Sequence, residues 1–418
     1  MRRKIRPPRR FRAAKRNISR AKRINPFPAN VAVLSVVFLV SFICAAFACW
    51  IFFDYKIAAA DVRARRDALL SEPEITVSER PAPFFPPENE PKNEPAAADE
   101  RYPIVLSFVG DCTLGQDINT SHSFKFSSVY EKNGPEYFLG AVKSIFESDD
   151  FTVANCEGAL TDGETARYKP EDGPKYWFRG PPEYARVFSA GGVDAVNLAN
   201  NHVMDFGAEG YEDTRDALAK AGVEFFGRDA VLVKEIRGLK IGFFGLSTSS
   251  GASLIKEKTD ELKRQGARVI VASFHGGLTE ISYVPTPSQI FAARAAVDNG
   301  AMVVVEHHPH VLQGIERYKN GVIAYSLGNF CFGGNVNPSD KDTMILQVEI
   351  SEERGEIKCE YRAIPASVSS RKEYNDFRPR VLEGGEAARV EAKILGLSEK
   401  LVDGGAEEPS RQEPSGDV

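Results

Sequence analysis

The sequence contains no G-x-x-x-x-G-K-[ST] loop, no G-x-S-x-G turn and no H-E-x-x-H pair. These absences exclude P-loop nucleotide chemistry, the serine elbow of the α/β-hydrolases and the helical zinc-protease site. Cysteine is scarce: there are six in 418 residues, none at C-x-x-C spacing, so neither a zinc ribbon nor a dithiol redox pair is available. Cys44 and Cys49 fall in an apolar run, and Cys112, Cys156, Cys331 and Cys359 are scattered and read as buried thiols. No internal repeat is present. Acidic residues are missing from Arg2 to Arg23, a stretch dense in Arg and Lys, although the whole chain carries a net charge of −5.

The neighbouring residues decide the meaning of that basic arm. Val31 to Phe53 contains no charged side chain, which as a helix is long enough to cross a hydrocarbon layer of about 30 Å. With the bases before it and Asp54 and Asp61 after it, the positive-inside bias puts the N-terminus in the cytoplasm and the bulk of the chain outside, as a single-pass cell-membrane protein. A cleaved signal peptide is the competing reading, with Ala46-Phe47-Ala48 or Ala58-Ala59-Ala60 as cleavage sites. The apolar run exceeds the roughly 7–15 residues of a usual signal core. Topology thus accounts for the arm, and a nucleic-acid partner is not expected. The expected organisation is a basic cytoplasmic segment (1–30), a transmembrane anchor (31–53), a Pro/Glu-rich spacer (54–103), a folded domain (104–366) and a C-terminal extension (367–418) with one helix near Glu383 to Leu397 and a disordered tail.

Within the domain, apolar runs at Ile104–Val109, Phe151–Ala154, Val193–Leu198, Lys240–Leu246, Val269–Phe274 and Met302–Val305 read as buried strands. Helical segments at Glu209–Ala221 and Gln289–Asn299, closed by Gly222 and Gly300, alternate with them. Gly321–Ser326, Met344–Ile350 and Ile357–Ile364 come later without helices between them and read as antiparallel strands. The fold class expected is α/β, a sandwich of mixed sheets flanked by helices.

The chemistry gathers after the strands. Five of the six histidines lie in three polar patches, each directly after a strand-like run, and the C-terminal ends of strands are where α/β sheets bind ligands. In Glu306-His307-His308-Pro309-His310, the proline disfavours helix before it, so His308 and His310 are expected on one side of an extended segment, with His307 on the other. Asn201 can ligate through its amide oxygen, and His202 beside it can serve as a general acid near Asp205. Asn155 and Glu157 share one side of their segment, and Asp111 ends the first strand. Two carboxylates, an amide and three imidazoles are the donor set of a dinuclear site. They suit Mn, Zn or Fe better than the oxygen-preferring Ca or Mg.

The ordered patches Gly110-Asp111, Asn155-Cys156-Glu157-Gly158, Asn197 to His202 with Asp205 and Gly207, His275-Gly276-Gly277, His308-Pro309-His310 and Tyr325-Ser326-Leu327-Gly328-Asn329-Phe330, together with Lys175 to Pro182, resemble the CapA, or PgsA, family of poly-γ-glutamate capsule-synthesis proteins. The resemblance runs from about Ile104 to Phe332. It implies a calcineurin-like metallophosphatase sandwich on a membrane anchor in a bacterial cell envelope. It also implies a divalent metal, one ion or two, held by Asp111, Glu157, Asn201, His275, His308 and His310, with His202, Asn155 and Asp205 as catalytic residues. The implied role is synthesis or export of poly-γ-glutamate or a related anionic polymer alongside other capsule-synthesis membrane proteins, acting on a phosphate or amide linkage. The alternative is a non-catalytic scaffold or polymer guide. Three positions depart from the pattern: Thr113 stands where a metallophosphatase has histidine, Glu306 where glycine often precedes the paired histidines, and Gly276 where an aromatic is common. Glu306 reads as a surface carboxylate.

Overall fold

The computed structural model describes residues 103–121, 125–167, 169, 176–278 and 281–402. The basic segment, the apolar run at 31–53, nearly all of the spacer, Lys175 and the tail beyond 402 lie outside the described residues. Among the described residues no helix is long and apolar enough to cross a membrane.

The first half contributes β1 (Ile104–Thr113), β2 (Gln116–Asp117), β3 (Phe151–Cys156), β4 (Ala159–Leu160), β5 (Phe178–Gly180), β6 (Ala195–Asn197) and β7 (Glu224–Phe226). The second contributes β8 (Leu232–Ile236), β9 (Leu239–Ser247), β10 (Val269–His275), β11 (Val303–His307), β12 (Ile315–Tyr318) and β13 (Gly321–Ala324). It continues with β14 (Asn329–Phe332), β15 (Asp342–Glu353), β16 (Glu356–Ser367) and β17 (Arg380–Val381). One sheet has the order β17-β16-β15-β1-β3-β6-β7, with β14 also paired to β1; the other has the order β12-β13-β11-β10-β9-β8. Both are mixed, and β2, β5 and β4 form a small third sheet. The β15–β16 hairpin is antiparallel as expected, but β13 runs parallel to β11 and antiparallel only to β12.

Side-chain alternation builds the layers. Phe108, Val153 and Ala195 of the first sheet meet Phe243, Val271 and Val305 of the second in one buried cluster. Residues of opposite parity face outward. Val109, Ala154 and Val196 pack under Phe126, Phe188 and Leu218, while Phe244, Ala272 and Val304 pack under Ile255, Leu262 and Ala293. The result is four layers, helix, sheet, sheet and helix, with an apolar core on both sides of each sheet. Each fully buried Phe, Val or Leu stabilises this arrangement by about 1.5–3 kcal/mol.

The helices end as their sequences dictate. Gly207–Ala221 stops at Gly222, which takes φ 77°. Pro287–Asp298 begins earlier than its periodicity suggests, because Thr286 and Gln289 form a capping box with Pro287 in the first turn. The helix at Ala252–Arg264 leaves little trace in the sequence, since its few buried positions, Ile255, Thr259 and Leu262, are set among charges. The closing helix, Gly384–Val402, covers the span expected near Glu383 to Leu397.

One close approach positions the site. Asp111 N donates to Gly328 O at 3.0 Å, and a Cβ on Gly110 would stand 1.8 Å from that same oxygen. Replacing an ordinary glycine by alanine commonly stabilises through the unfolded chain. Here the sign reverses: Gly110→Ala should destabilise by about 3 kcal/mol or more, because backbone must move to admit the methyl group. A melting temperature equal to or above that of the parent protein would contradict this packing.

Candidate metal centre

The inward-facing series of each central strand ends in a polar residue. Phe151 and Val153 lead to Asn155, Ala195 to Asn197, Val269 and Val271 to Ser273 and His275, and Val303 and Val305 to His307. Strand pairing aligns these ends. Asp111 pairs with Asn155 and Asn329, Asn155 with Asn197, and His275 with both His307 and Ser247. The apolar seam between the sheets therefore opens at one rim into a row of amides, carboxylates and imidazoles.

The row converges. One ligand atom each from Glu157, His275 and His308 lie within 4.8 Å of one another, and so do atoms from Asp111, Glu157 and His310. The two triads share Glu157. His275 Nε2 is 3.5 Å from Glu157 Oε1 and 2.6 Å from Asn201 Oδ1, and the His275 and His308 ring centroids are 5.2 Å apart. All six expected ligands thus meet at one place. Asn155 Nδ2 donates to Asp111 Oδ1 at 2.7 Å and lies 3.1 Å from His275 Nδ1, while its own Oδ1 accepts from Asn197. Because a carboxylate can only accept, this network makes Asn155 a brace between Asp111 and His275.

The neighbouring pair His202 and Asp205 is equally ordered. His202 Nδ1–H donates to Asp205 Oδ2 at 2.7 Å, and the ring lies against Phe178 with centroids 4.3 Å apart. Asp205 also accepts from Phe178 N at 2.9 Å and pairs with Lys169 Nζ at 2.6 Å. Asp205 therefore orients His202 and does not itself face the cluster. Lys169 has no signal in the sequence, since β5, a short helix and β6 separate it from its partner Asp205.

Three expectations need correction. Glu306 is not a surface carboxylate: it is wholly buried and its Oε2 accepts from Gln289 Nε2 at 3.1 Å. The reason is parity, for Glu306 pairs with Phe274 and so faces the helical layer, whereas His307 faces the seam. His307 Nδ1 consequently lies 3.6 Å from Asp111 Oδ1, next to the cluster instead of pointing from it. Nor is the histidine segment extended throughout. The strand ends at His307 and His308 takes φ 100°, a strained conformation for a non-glycine residue; its N–H donates to Asp111 Oδ2 at 3.3 Å. His310 turns back so that its Nδ1 meets Asn329 Oδ1 at 2.5 Å. Asn329 and Asn197, both inside quoted motifs, are the bracing residues that sequence reasoning leaves without a role.

Electrostatics suit a cation. Burial raises the Asp111 carboxyl to about 7, against the hydrogen bonds from Asn155 and His308 N. Burial also holds His275 well below the usual imidazole range, with the neighbouring His308 adding to it, and lowers His310 to about 4 and His307 to about 3. The imidazoles are therefore neutral lone-pair donors, and among the described residues no Lys or Arg pairs with Asp111. Buried carboxylates beside neutral imidazoles fit a divalent ion of the Mn, Zn or Fe type, which would supply the missing positive charge. Two clefts reach the cluster. One, of about 110 Å³, lies at His310 between Phe178 and Phe332; the other, of about 340 Å³, lies at His275 and His308.

The family described as "Bacterial capsule synthesis protein PGA_cap" matches residues 105–334. The capsule biosynthesis protein CapA of Bacillus anthracis is 27% identical over 284 residues, covering 62% of this chain and 66% of that one. The PGA biosynthesis protein CapA of Bacillus subtilis (strain 168) is 30% identical over 253 residues, covering 55% and 63% respectively. The chain thus spans just under two thirds of the length of these relatives. The crystal structure of the calcineurin-like phosphoesterase YfkN from Bacillus subtilis superposes with a TM-score of 0.40 at 12% identity, over 72% of this chain and 99% of that one. A likeness that slight does not bear on the chemistry.

The shared position of Glu157 yields a contrast between two buried glutamates. Glu157→Gln should remove most bound transition metal, a loss of affinity of about 10-fold to 100-fold or more, whereas Glu306→Gln should keep the parental content. Elemental analysis of both purified variants checks this, and equal metal in the two would refute the assignment.

Proposed function

The chain belongs to the bacterial capsule synthesis family PGA_cap, and from that premise we propose that it is a membrane-anchored, metal-dependent hydrolase, a phosphoesterase or amidohydrolase, acting outside the cell membrane in synthesis or export of an anionic capsule polymer. The observation that carries the reading is the convergence of two ligand triads on Glu157. Poly-γ-glutamate or a related polymer is the proposed context, because the relatives are named for capsule and PGA biosynthesis. The apolar run at 31–53 is the proposed single-pass anchor, with the N-terminus cytoplasmic and other capsule-synthesis membrane proteins as partners.

Asp111, Glu157, Asn201, His275, His308 and His310 would hold the metal. Bound there, one or two divalent ions would polarise a phosphoryl or carbonyl oxygen and lower the pKa of water. The side chains do the rest. Asn155 fixes Asp111 and His275 relative to one another, and Asn329 holds His310. With Nδ1 of His202 committed to Asp205, its Nε2 is the nitrogen able to hand a proton to the leaving group. His202 is close enough to His275 and His310 to depress both imidazoles. The side of the cleft where Phe178 and Phe332 meet edge to face limits water around that transfer.

A second reading, a non-catalytic scaffold or polymer guide, is favoured by Thr113. It is buried at the end of β1 and its Oγ1 has no hydrogen-bond partner among the described residues. The two readings differ in what the histidines are for. In the catalytic case His202→Ala should lower turnover by about 10²–10⁴-fold with metal content unchanged, Asp205→Asn should act in the same direction, and chelation should abolish activity. Phosphomonoester, phosphodiester and amide substrates assayed with the full-length protein provide the measurement. Undiminished activity in a His308→Ala, His310→Ala double variant would end the catalytic reading. A His275→Ala strain that still makes polymer at normal protein level would point to the scaffold.

A further inference from the structure

The cleft at His275 and His308 has one permanently charged side chain on its lining, Arg228. The turn that carries it is closed by backbone hydrogen bonds. Gly227 N donates to Ala230 O at 2.8 Å and Arg228 N to Gly245 O at 3.1 Å. A Cβ on Gly227 would stand 2.5 Å from Asn197 Oδ1, so the turn can pack onto the bracing amide row only through glycine. Arg228 takes φ 58°, the left-handed conformation of a tight turn.

The side chain is held as well. Its guanidinium carbon lies 5.2 Å from the centroid of the Tyr211 ring, a cation–π distance. The acid next in sequence, Asp229, instead accepts the Tyr211 hydroxyl at 3.2 Å. Among the described residues no carboxylate forms an ion pair with Arg228 and no protein acceptor takes a hydrogen bond from its guanidinium. The polar neighbours on the same lining are already engaged: Asn200 with Cys156 O and the N–H groups of His202 and Val203, and Asn201 with His275. Arg228 is exposed, and a planar fork of donors on the lining of the same cleft, with no carboxylate partner among the described residues, is an arrangement that recognises a carboxylate or phosphate.

We propose that Arg228 anchors a second anionic group of the substrate, a carboxylate or phosphate separate from the linkage that reacts at the cluster. The proposal rests on the reading of the cluster as a metal-dependent hydrolytic site. It makes the substrate at least dianionic or carrying an anion beside its scissile bond, because the cleft of about 340 Å³ contains both Arg228 and the imidazoles His275 and His308. Neutral esters and amides would then bind poorly however well they fit the metal.

Ligand-observed NMR titrations of full-length protein with inorganic phosphate and, separately, with glutarate test this in metal-loaded and metal-depleted samples. Arg228→Gln should weaken binding of at least one probe about tenfold in both samples, Arg228→Lys should recover part of it, and metal content should not change. The probe with the larger loss tells a phosphoryl from a carboxyl anchor. Unchanged affinity for both probes in Arg228→Gln, with metal retained, would overturn the proposal and leave the hydrolase reading intact. Arg228-dependent binding in a protein that takes up no metal would overturn the hydrolase reading while the anion anchor stands.

Discussion

The constraint on which the rest depends is strand parity. Two-residue alternation gives β3, β6, β10 and β11 an apolar face toward the seam, and the last member of each inward series is Asn or His; in β1 a register shift between Phe108 and Asp111 brings Asp111 into the same row. Hydrogen-bonded register then brings those last members level with each other. A slip of one residue in any strand would send its polar end into a helical layer and an apolar residue into the site. Fold and site are therefore set by one pattern.

Such a rim is costly in isolation. Asp111 is fully enclosed, and burial alone pushes it toward the neutral acid. The structure offsets this with donors from uncharged groups, the Asn155 amide and the His308 backbone, and not with lysine or arginine. Uncharged donors hold the oxygens in place while leaving room for a cation's field. The positive φ of His308 brings its backbone N–H onto Asp111, and the methyl-free approach of Gly110 to Gly328 lets the N–H of Asp111 itself donate to Gly328 O, which pins the strand end that carries the carboxylate.

Much of this is legible in the residues. Periodicity locates the central strands to within a few positions, and the ligand set emerges from polar residues after apolar runs. Glu306 is misplaced as a surface carboxylate because the strand is taken to end at Val305; β11 runs on to His307, and its alternation with the inward Val305 and His307 buries Glu306 on the other face. Proline alone suggests that the histidine segment is one extended piece, whereas tertiary contacts with Asp111 and Asn329 bend it after His307. Lys169 and Arg228 are invisible for a different reason: each acts through a partner distant in sequence or through a local backbone conformation, and neither leaves a periodic trace. The mixed direction of β13 is hidden because a short connection suggests antiparallel pairing, whereas β12 stands between it and β11 in sequence and takes that role.

The contact between His308 N and Asp111 spans 197 positions of sequence. Carboxylates come from the first third of the described domain and imidazoles from beyond its middle, so no fragment that stops before His310 holds the complete candidate set. An ion that prefers the full set adds its binding free energy only to the finished fold. Occupancy of the site would thereby report assembly: a chain cut between Glu157 and His275 would lose part of the donor set, and with it any stabilisation that a bound ion adds.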